Sequence, residues 1–326
     1  MSDPGITVFG ANVKTQKRNP MLKNALYGGV NAAVLTPMRD DLSPDVDTLA
    51  ARCRWLLANG TNGLAVLGTT GEGNSLGIEE RLDLLEGLAE HGIEGRHLLP
   101  GVGTTAITDT VRLMHGAEKI GCQGVLVLPP FYYKHPSEDG LFAYFSEVIN
   151  RAGTGTHIYL YHIPVQSSIP FTIPLVGRLL KAFPKTIKGI KDSSGDLANT
   201  LGYIEHFAKD GFEVYCGDDA ALHEVLKAGG AGCITGASNI TCAENARVYA
   251  NVGTPAGDAA QALLTDLRKV IAGAPLIPGL KALVARHTGN NSWNNMRPPQ
   301  IRLSHDNAEK LFAAFDACGF PLAKAA

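Results

Sequence analysis

Aromatic residues are sparse in this sequence, and it has neither a large excess of one charge nor a long apolar run. Aromatic residues make up 7% of the 326 residues, and the formal net charge is -2. With no basic excess and few rings, the chain has little with which to hold a phosphate backbone or to stack bases, so we expect no nucleic-acid partner. No apolar run approaches the roughly 18 residues that a membrane-spanning helix needs, so we expect no membrane partner.

Cysteine pairs and several catalytic motifs are missing as well. None of the six cysteines forms a C-x-x-C pair, which predicts buried free thiols in a reducing cytoplasm and neither disulfides nor zinc. The pair His223-Glu224 lacks the second histidine of a metalloprotease helix, so we expect no metal site. The absence of G-x-S-x-G and of G-x-x-x-x-G-K-[ST] disfavours a serine hydrolase and a P-loop enzyme.

The sequence does contain a regular alternation of short apolar runs with helix-length segments. The runs predict strands at 30–35, 63–67, 97–101, 124–128, 157–161, 186–191, 212–216 and 232–235. Eight such units predict an α/β fold, a (β/α)8 TIM barrel that covers residues 28–253 and carries the catalytic groups. A doubly wound sheet is the alternative, but no G-x-G-x-x-G follows the first strand.

Both ends of the chain extend beyond the predicted barrel. Residues 1–27 predict an N-terminal arm, flexible or docked on a partner, because their basic residues precede no apolar segment of the kind a secretory signal needs. Residues 254–326 predict a C-terminal helical region, with helical patterns near 255–272, 276–287 and 306–317. That region lacks clustered polar residues, so we do not expect it to be a separate catalytic domain.

Catalytic groups of a TIM barrel lie where its strands end, and Lys191 closes the sixth apolar run. A lysine at this position points into the barrel mouth, where desolvation disfavours the charged ammonium. A neutral amine can attack a ketone and form a Schiff base, which acts as an electron sink for carbon-carbon cleavage. The alternative is a structural lysine, extended to solvent or paired with Asp192 or Asp196.

Three other strand ends carry polar groups that suit the same chemistry. Tyr161 ends the adjacent strand and could shuttle a proton, although it could equally be a rim aromatic with a satisfied hydroxyl. The turn Gly68-Thr69-Thr70-Gly71 offers backbone N–H groups and two hydroxyls that could hold a carboxylate, or it is a plain turn. We expect His162, one residue beyond Tyr161, to point away from the mouth and to pack.

Three motifs in the predicted order carry a family resemblance. They are Gly68-Thr69-Thr70-Gly71-Glu72, Tyr161-His162-Ile163-Pro164 and Gly189-Ile190-Lys191-Asp192-Ser193-Ser194-Gly195-Asp196. Over about residues 27–317 the sequence resembles the dihydrodipicolinate synthase / N-acetylneuraminate lyase family. The resemblance implies a TIM barrel, a class I pyruvate-dependent aldolase without a cofactor, and a homotetramer built as a dimer of dimers.

The resemblance also implies roles for individual residues. Lys191 forms the Schiff base and Tyr161 is the proton shuttle, while Thr69 and Thr70 bind the pyruvyl carboxylate and help to relay protons. Tyr133 neighbours this relay and often reaches across the tight dimer. Further substrate-binding positions at the strand ends are Ser193, Gly217 and Ile234.

Gln166 departs from the pattern of the synthases in this family. Those enzymes carry an arginine at the matching position, where it binds the carboxylate of aspartate semialdehyde, and a neutral amide cannot make that bidentate charged pair. The departure favours a lyase that acts on a 4-hydroxy-2-oxo acid, such as a 2-keto-3-deoxy sugar acid, with pyruvate and an aldehyde as partners. The alternatives are 4-hydroxy-tetrahydrodipicolinate synthase, a related hydro-lyase, and a catalytically idle relative that senses a keto acid.

Overall fold

The strands in the described part of the chain are all parallel and line one barrel. A computed structural model describes residues 25–153 and 155–325. Within these residues the strands are β1 (Gly29–Ala33), β2 (Gly63–Ala65), β3 (Gly124–Val127), β4 (His157–His162), β5 (Ile187–Asp192), β6 (Glu213–Cys216) and β7 (Gly232–Thr235). They lie in the order β2-β1-β7-β6-β5-β4-β3. Nearly all their residues are buried, as expected for parallel strands covered by helices.

The third predicted strand, at 97–101, differs from the prediction. Gly95–His97 form a 3-10 turn, and the extended segment Leu98–Val102 that follows makes only single bridges to β2 and β3. Leu99 N donates to a β2 carbonyl and Val102 N donates to a β3 carbonyl, each at 2.9 Å, so the segment closes the barrel between these strands. Pro100 lacks an N–H group and therefore interrupts the ladder. The predicted eight-unit barrel is confirmed, with one irregular wall.

Helices follow the strands and surround them. Those of the described residues are α1 (Val46–Ala58), α2 (Ile78–Glu90), α3 (Ile107–Lys119), α4 (Glu138–Ala152), α5 (Pro164–Ser167), α6 (Ile173–Ala182), α7 (Leu197–Phe207), α8 (Leu222–Lys227), α9 (Ser238–Ala250), α10 (Pro255–Ala272), α11 (Leu276–Thr288) and α12 (His305–Ala317). Side chains cap several of them: Asp45 accepts from Thr48 N at the start of α1, and Ser137 from Gly140 N at the start of α4. These two caps fix the residues at which α1 and α4 begin.

The last three helices pack as an appendix against one side of the barrel. Their apolar side chains form a second core with residues that follow β1 and open α9, including Leu35, Ile240, Leu267, Leu280, Trp293 and Phe315. Most of the other buried apolar residues belong to one large core inside and around the barrel. The predicted C-terminal helical region is thus attached to the barrel by burial of apolar surface.

The predicted N-terminal arm lies outside the described residues except for its last three positions. There Leu26 N donates to Glu213 Oε1 at 3.1 Å, and the Tyr27 ring is 1% exposed at the barrel core. No helix of the described residues is long and apolar enough to cross a membrane. The described cysteines are free, and all except Cys318 are buried.

Candidate active site

Lys191 and Tyr161 lie side by side at the ends of neighbouring strands. They are register partners in β5 and β4, and they are 5% and 4% exposed. The Nζ atom of Lys191 lies 4.2 Å from the centre of the Tyr161 ring. Lys191 makes no ion pair with Asp192 or Asp196, since Asp192 pairs with His162 and Asp196 caps α7. In the described residues, Lys191 is therefore not the salt-bridged structural lysine of the alternative hypothesis.

The Tyr161 hydroxyl lies among groups that stabilise its anion. Burial by itself raises the pKa of Tyr161, but the charge of Lys191 and hydrogen bonds with Thr69, Lys191 and Ser193 outweigh it and lower the pKa below its usual value. A phenol with a lowered pKa gives up and recovers a proton more readily near neutral pH. The same contacts place Thr69 and Ser193, two of the predicted substrate-binding residues, beside the lysine-tyrosine pair.

The turn that follows β2 brings Thr70 to the end of β7. Thr70 is 6% exposed, and a Cβ atom on Gly236 would lie 3.0 Å from its Oγ1, so the two loops are in contact. Ile234, which is fully buried, lies two residues before Gly236. A hydrogen bond from Thr36 Oγ1, which follows β1, to Gly71 O at 2.6 Å stabilises the turn. The structure thus brings Thr70 against the loop that follows Ile234 and the end of β7.

Gly217 is a position where only glycine fits without displacing a neighbour. A Cβ atom there would lie 2.0 Å from Ser193 Oγ, and Gly217 N donates to Asp192 O at 2.7 Å. Ser193 N in turn donates to His162 O at 2.8 Å. The loops after β4, β5 and β6 are therefore bonded to one another through their main chains, which brings both Ser193 and Gly217 next to the Lys191 strand end.

Tyr133 and Gln166 lie on the rim, outside the buried group. Tyr133 is 61% exposed on the loop after β3 and contacts the ring of Tyr132, which is 73% exposed. Gln166 is exposed on α5, a helix of four residues that the sequence patterns did not indicate. Lys134 Nζ lies near this helix, donating to Phe131 O at 2.7 Å and reaching Ser167 O at 3.4 Å. In a single chain Tyr133 is therefore exposed, whereas Tyr161 is buried.

A buried polar cluster behind the site was not expected from the sequence. His162 and Asp192, register partners one residue beyond Tyr161 and Lys191, face the helix layer and approach to 3.1 Å (Nδ1 to Oδ1). Asp192 also accepts from Thr200 Oγ1 at 2.7 Å and from Asn199 Nδ2 at 2.9 Å. Burial raises the pKa of Asp192, but these hydrogen bonds lower it by a larger amount, so the net shift is downward. The cluster joins the ends of β4 and β5 to α7.

A second unexpected contact lies beneath the Gly68-to-Gly71 turn. Glu72 has a left-handed backbone (φ 54°) and forms an ion pair with Lys281 of α11, and their side chains are 1% and 0% exposed. Lys281 Nζ also donates to Asn295 O at 2.7 Å. Burial lowers the pKa of Lys281, partly offset by Glu72. The only sequence signal for this pair was a lysine placed among the apolar residues of the α11 pattern.

The arrangement combines an amine, a proton donor and acceptor, and a polar turn in one buried mouth. An amine can form an imine, a phenol can move protons at its substituents, and threonine hydroxyls with backbone N–H groups can hold a carboxylate. No group of three or more histidine, cysteine, aspartate or glutamate side chains suited to a metal ion occurs among the described residues. The site is thus equipped for covalent catalysis by the lysine.

Comparison with known proteins gives one consistent family. The model of the dihydrodipicolinate synthetase family matches residues 26–318 of the chain. The chain is 33% identical over 291 residues to an uncharacterized DapA-like lyase of Chloroflexus aurantiacus, and the match covers 88% of this chain and 96% of that protein. The likeness therefore extends over the barrel and the C-terminal helices.

Solved structures agree with this result. A dihydrodipicolinate synthase from Agrobacterium tumefaciens superposes with a TM-score of 0.82 at 32% identity, covering 89% of this chain and 99% of that chain. YagE, an E. coli prophage protein of the dihydrodipicolinic acid synthase family solved in complex with pyruvate, superposes with a TM-score of 0.84 at 25% identity, covering 90% and 99%. Both structures are matched over nearly their whole length.

Proposed function

The chain belongs to the dihydrodipicolinate synthetase family and is a lyase, and from that premise we propose that it is a Schiff-base-forming, pyruvate-dependent aldolase. It cleaves a 4-hydroxy-2-oxo acid, such as a 2-keto-3-deoxy sugar acid, to pyruvate and an aldehyde, or runs this reaction in reverse. The observation that carries the proposal is the buried Lys191 amine, 4.2 Å from the Tyr161 ring centre. Pyruvate bound to the related YagE supports the choice of keto acid.

In the proposed reaction the Lys191 amine attacks the C2 carbonyl of the oxo acid, and loss of water leaves an iminium ion. Tyr161 takes the proton of the C4 hydroxyl, the C3–C4 bond breaks, and its electron pair moves into the iminium to give an enamine while the aldehyde departs. Protonation of the enamine at C3 and hydrolysis then release pyruvate and return the free amine. Thr69 and Thr70 hold the carboxylate, Tyr133 completes the proton relay, and Ser193, Gly217 and Ile234 shape the pocket.

The neutral Gln166 on the rim favours an uncharged, hydroxylated aldehyde as the second partner. The second candidate function is that of relatives named 4-hydroxy-tetrahydrodipicolinate synthase. The aldehyde substrate of that reaction carries a charged carboxylate. Exchanging an arginine for glutamine removes a charge-assisted bidentate contact, worth about 1.5–3 kcal/mol. The two candidates are separated by the ratio of catalytic efficiencies for glyceraldehyde-type acceptors and for aspartate semialdehyde.

We also propose a homotetramer, a dimer of dimers, in the cytoplasm. The exposed Tyr132 and Tyr133 rings support it, because a second chain could cover them and receive Tyr133 at its own mouth. The free cysteines support a reducing compartment. Light scattering during size-exclusion chromatography measures the assembly, and a monomer with full activity would contradict the role of Tyr133 across the interface.

Borohydride trapping tests the covalent step directly. Pyruvate with borohydride should add one reduced pyruvyl group to the wild-type chain and none to Lys191→Ala, read by mass spectrometry of the intact protein and of its peptides. Lys188→Ala is the matched control, since Lys188 lies on the same strand with its Nζ outside the mouth, 3.4 Å from Gly211 O. An adduct that persists in Lys191→Ala would contradict the assignment, and so would an adduct lost in Lys188→Ala.

A further inference from the structure

Arg52 is a buried cation on α1 that has no acidic partner in the described chain. It is 4% exposed; it donates to Asn239 O, its Nη1 lies 3.4 Å from His287 Nδ1, and its Nε has no partner there. The titratable groups acting on it are the thiols of Cys53 and Cys242. Burial raises the pKa of these thiols to about 12 and about 11, so both are neutral at pH 7.

His287 contacts Arg52 as a neutral ring and is not a counter-ion for it. Its Nε2 lies 2.7 Å from Ala323 O and therefore carries the proton, which leaves Nδ1 as an acceptor for the Arg52 guanidinium. Burial lowers the pKa of His287, so the ring is neutral. The nearest carboxylate along the helix, Asp47, pairs with His91 Nε2 at 2.8 Å and lies 4.0 Å from Arg39. Burying a cation without a counter-charge is unfavourable, so its retention calls for an anion.

A cavity of about 200 Å³ opens beside Arg52, between α1 and the end of α11. Besides Arg52 its lining includes two hydroxyls, an amide and two indole rings, from Thr48, Thr288, Asn290, Trp55 and Trp293. The Trp55 ring centre lies 4.1 Å from Arg52 Cζ and stacks the guanidinium in place. The cavity thus combines a fixed guanidinium, whose Nε has no partner among the described residues, with further polar groups and apolar walls.

We propose that this cavity, the Arg52 pocket, binds a small oxyanion, a carboxylate or a phosphate, that supplies the counter-charge of Arg52. A planar guanidinium matches both anions with paired N–H donors, and the neighbouring hydroxyls and amide complete their hydrogen bonding. The pocket lies on the helix layer and includes none of the mouth residues, so the proposal goes beyond the lyase reaction and does not depend on it.

Binding is tested on the full chain with two separate anions at constant ionic strength. Inorganic phosphate and acetate are each titrated by calorimetry and by thermal unfolding, with chloride as the reference. We expect saturable binding and a rise in Tm for at least one of them, and the comparison identifies the anion class. Arg52→Gln should weaken that binding by about 10- to 100-fold, the loss expected when a charged hydrogen-bond donor is removed.

Arg54→Gln is the matched control, because Arg54 is an exposed arginine of the same helix, and it should bind as the wild type does. Arg52→Met serves as the second variant if Arg52→Gln does not fold, since a long apolar side chain is tolerated where a buried charge is removed. The absence of saturable binding by either anion would overturn the proposal, as would equal binding by wild type and the Arg52 variants.

Discussion

The buried ion pair between Glu72 and Lys281 gives a sharp prediction about stability. Their side chains are 1% and 0% exposed, so removing one partner leaves a buried charge without its counter-ion. Loss of one member of such a pair costs about 3–5 kcal/mol. A typical domain has roughly 5–15 kcal/mol of unfolding free energy, so Lys281→Met alone removes a large part of it.

The double variant decides whether the effect belongs to the pair. Replacing both partners by neutral groups in Glu72→Gln/Lys281→Met should restore most of the loss, because a buried pair is often worth little more than its neutral replacement. Lys119→Met is the control, since Lys119 and Glu86 form an ion pair at 2.7 Å on the surface, where such pairs contribute little.

Urea unfolding followed by circular dichroism measures these free energies at one fixed protein concentration, because an assembled chain unfolds in a concentration-dependent way. We expect a clear drop in the midpoint for Lys281→Met and for Glu72→Gln, near recovery in the double variant, and no change for Lys119→Met. If the two single losses simply add in the double variant, the ion pair does not stabilise the fold and the reasoning is refuted.

Four further predictions concern the site itself. Tyr161→Phe should leave borohydride trapping intact while turnover falls by roughly 10²–10⁴-fold, measured by a coupled pyruvate assay; turnover near that of wild type would make Tyr161 a rim aromatic. Lys191→Met should raise the pKa of Tyr161, seen by ultraviolet difference titration against Tyr161→Phe, because burial then outweighs the remaining hydrogen bonds. Gln166→Arg should raise the efficiency with aspartate semialdehyde by about 10- to 100-fold, and no gain would remove Gln166 from the specificity argument. The pKa of Asp192 is lowered, so its contribution to stability is present above its unfolded value near 3.8 and is lost as pH falls through the folded value. His162→Leu removes a hydrogen bond that lowers this pKa, so it should move the acid-induced loss of stability to higher pH. An unchanged acid midpoint would show that this hydrogen bond does not affect the pKa of Asp192.

Residues whose position follows from strand ends were predictable from sequence. Lys191 and Tyr161 close apolar runs, and parallel strands must bring such ends together, so their adjacency required no tertiary information. Thr70 lies in a glycine-bounded turn, which predicts a loop at the mouth. His162 was expected to pack, and the period of two along a strand gives the reason, because the residue after an inward-facing one faces the helices.

Other features depended on contacts that no local pattern encodes. The partner of His162 is Asp192 on a different strand, and their closeness depends on the register between β4 and β5. Lys281 is more than two hundred positions from Glu72, so only the packing of α11 shows that its charge is compensated. The α5 helix has four residues and a proline at its first position, too short for periodicity to reveal.

The irregular wall at Leu98–Val102 has a consequence for motion. It makes a single bridge to each neighbouring strand, whereas four consecutive residues of β4, 159–162, pair in register with 189–192 of β5, so we expect local opening to begin at this wall and its amides to exchange with solvent first. Gly101 N donates to Val66 O at 2.8 Å, one residue before Leu67 and the threonine turn. We therefore expect the barrel to be more compliant beneath the threonine turn than beneath Lys191.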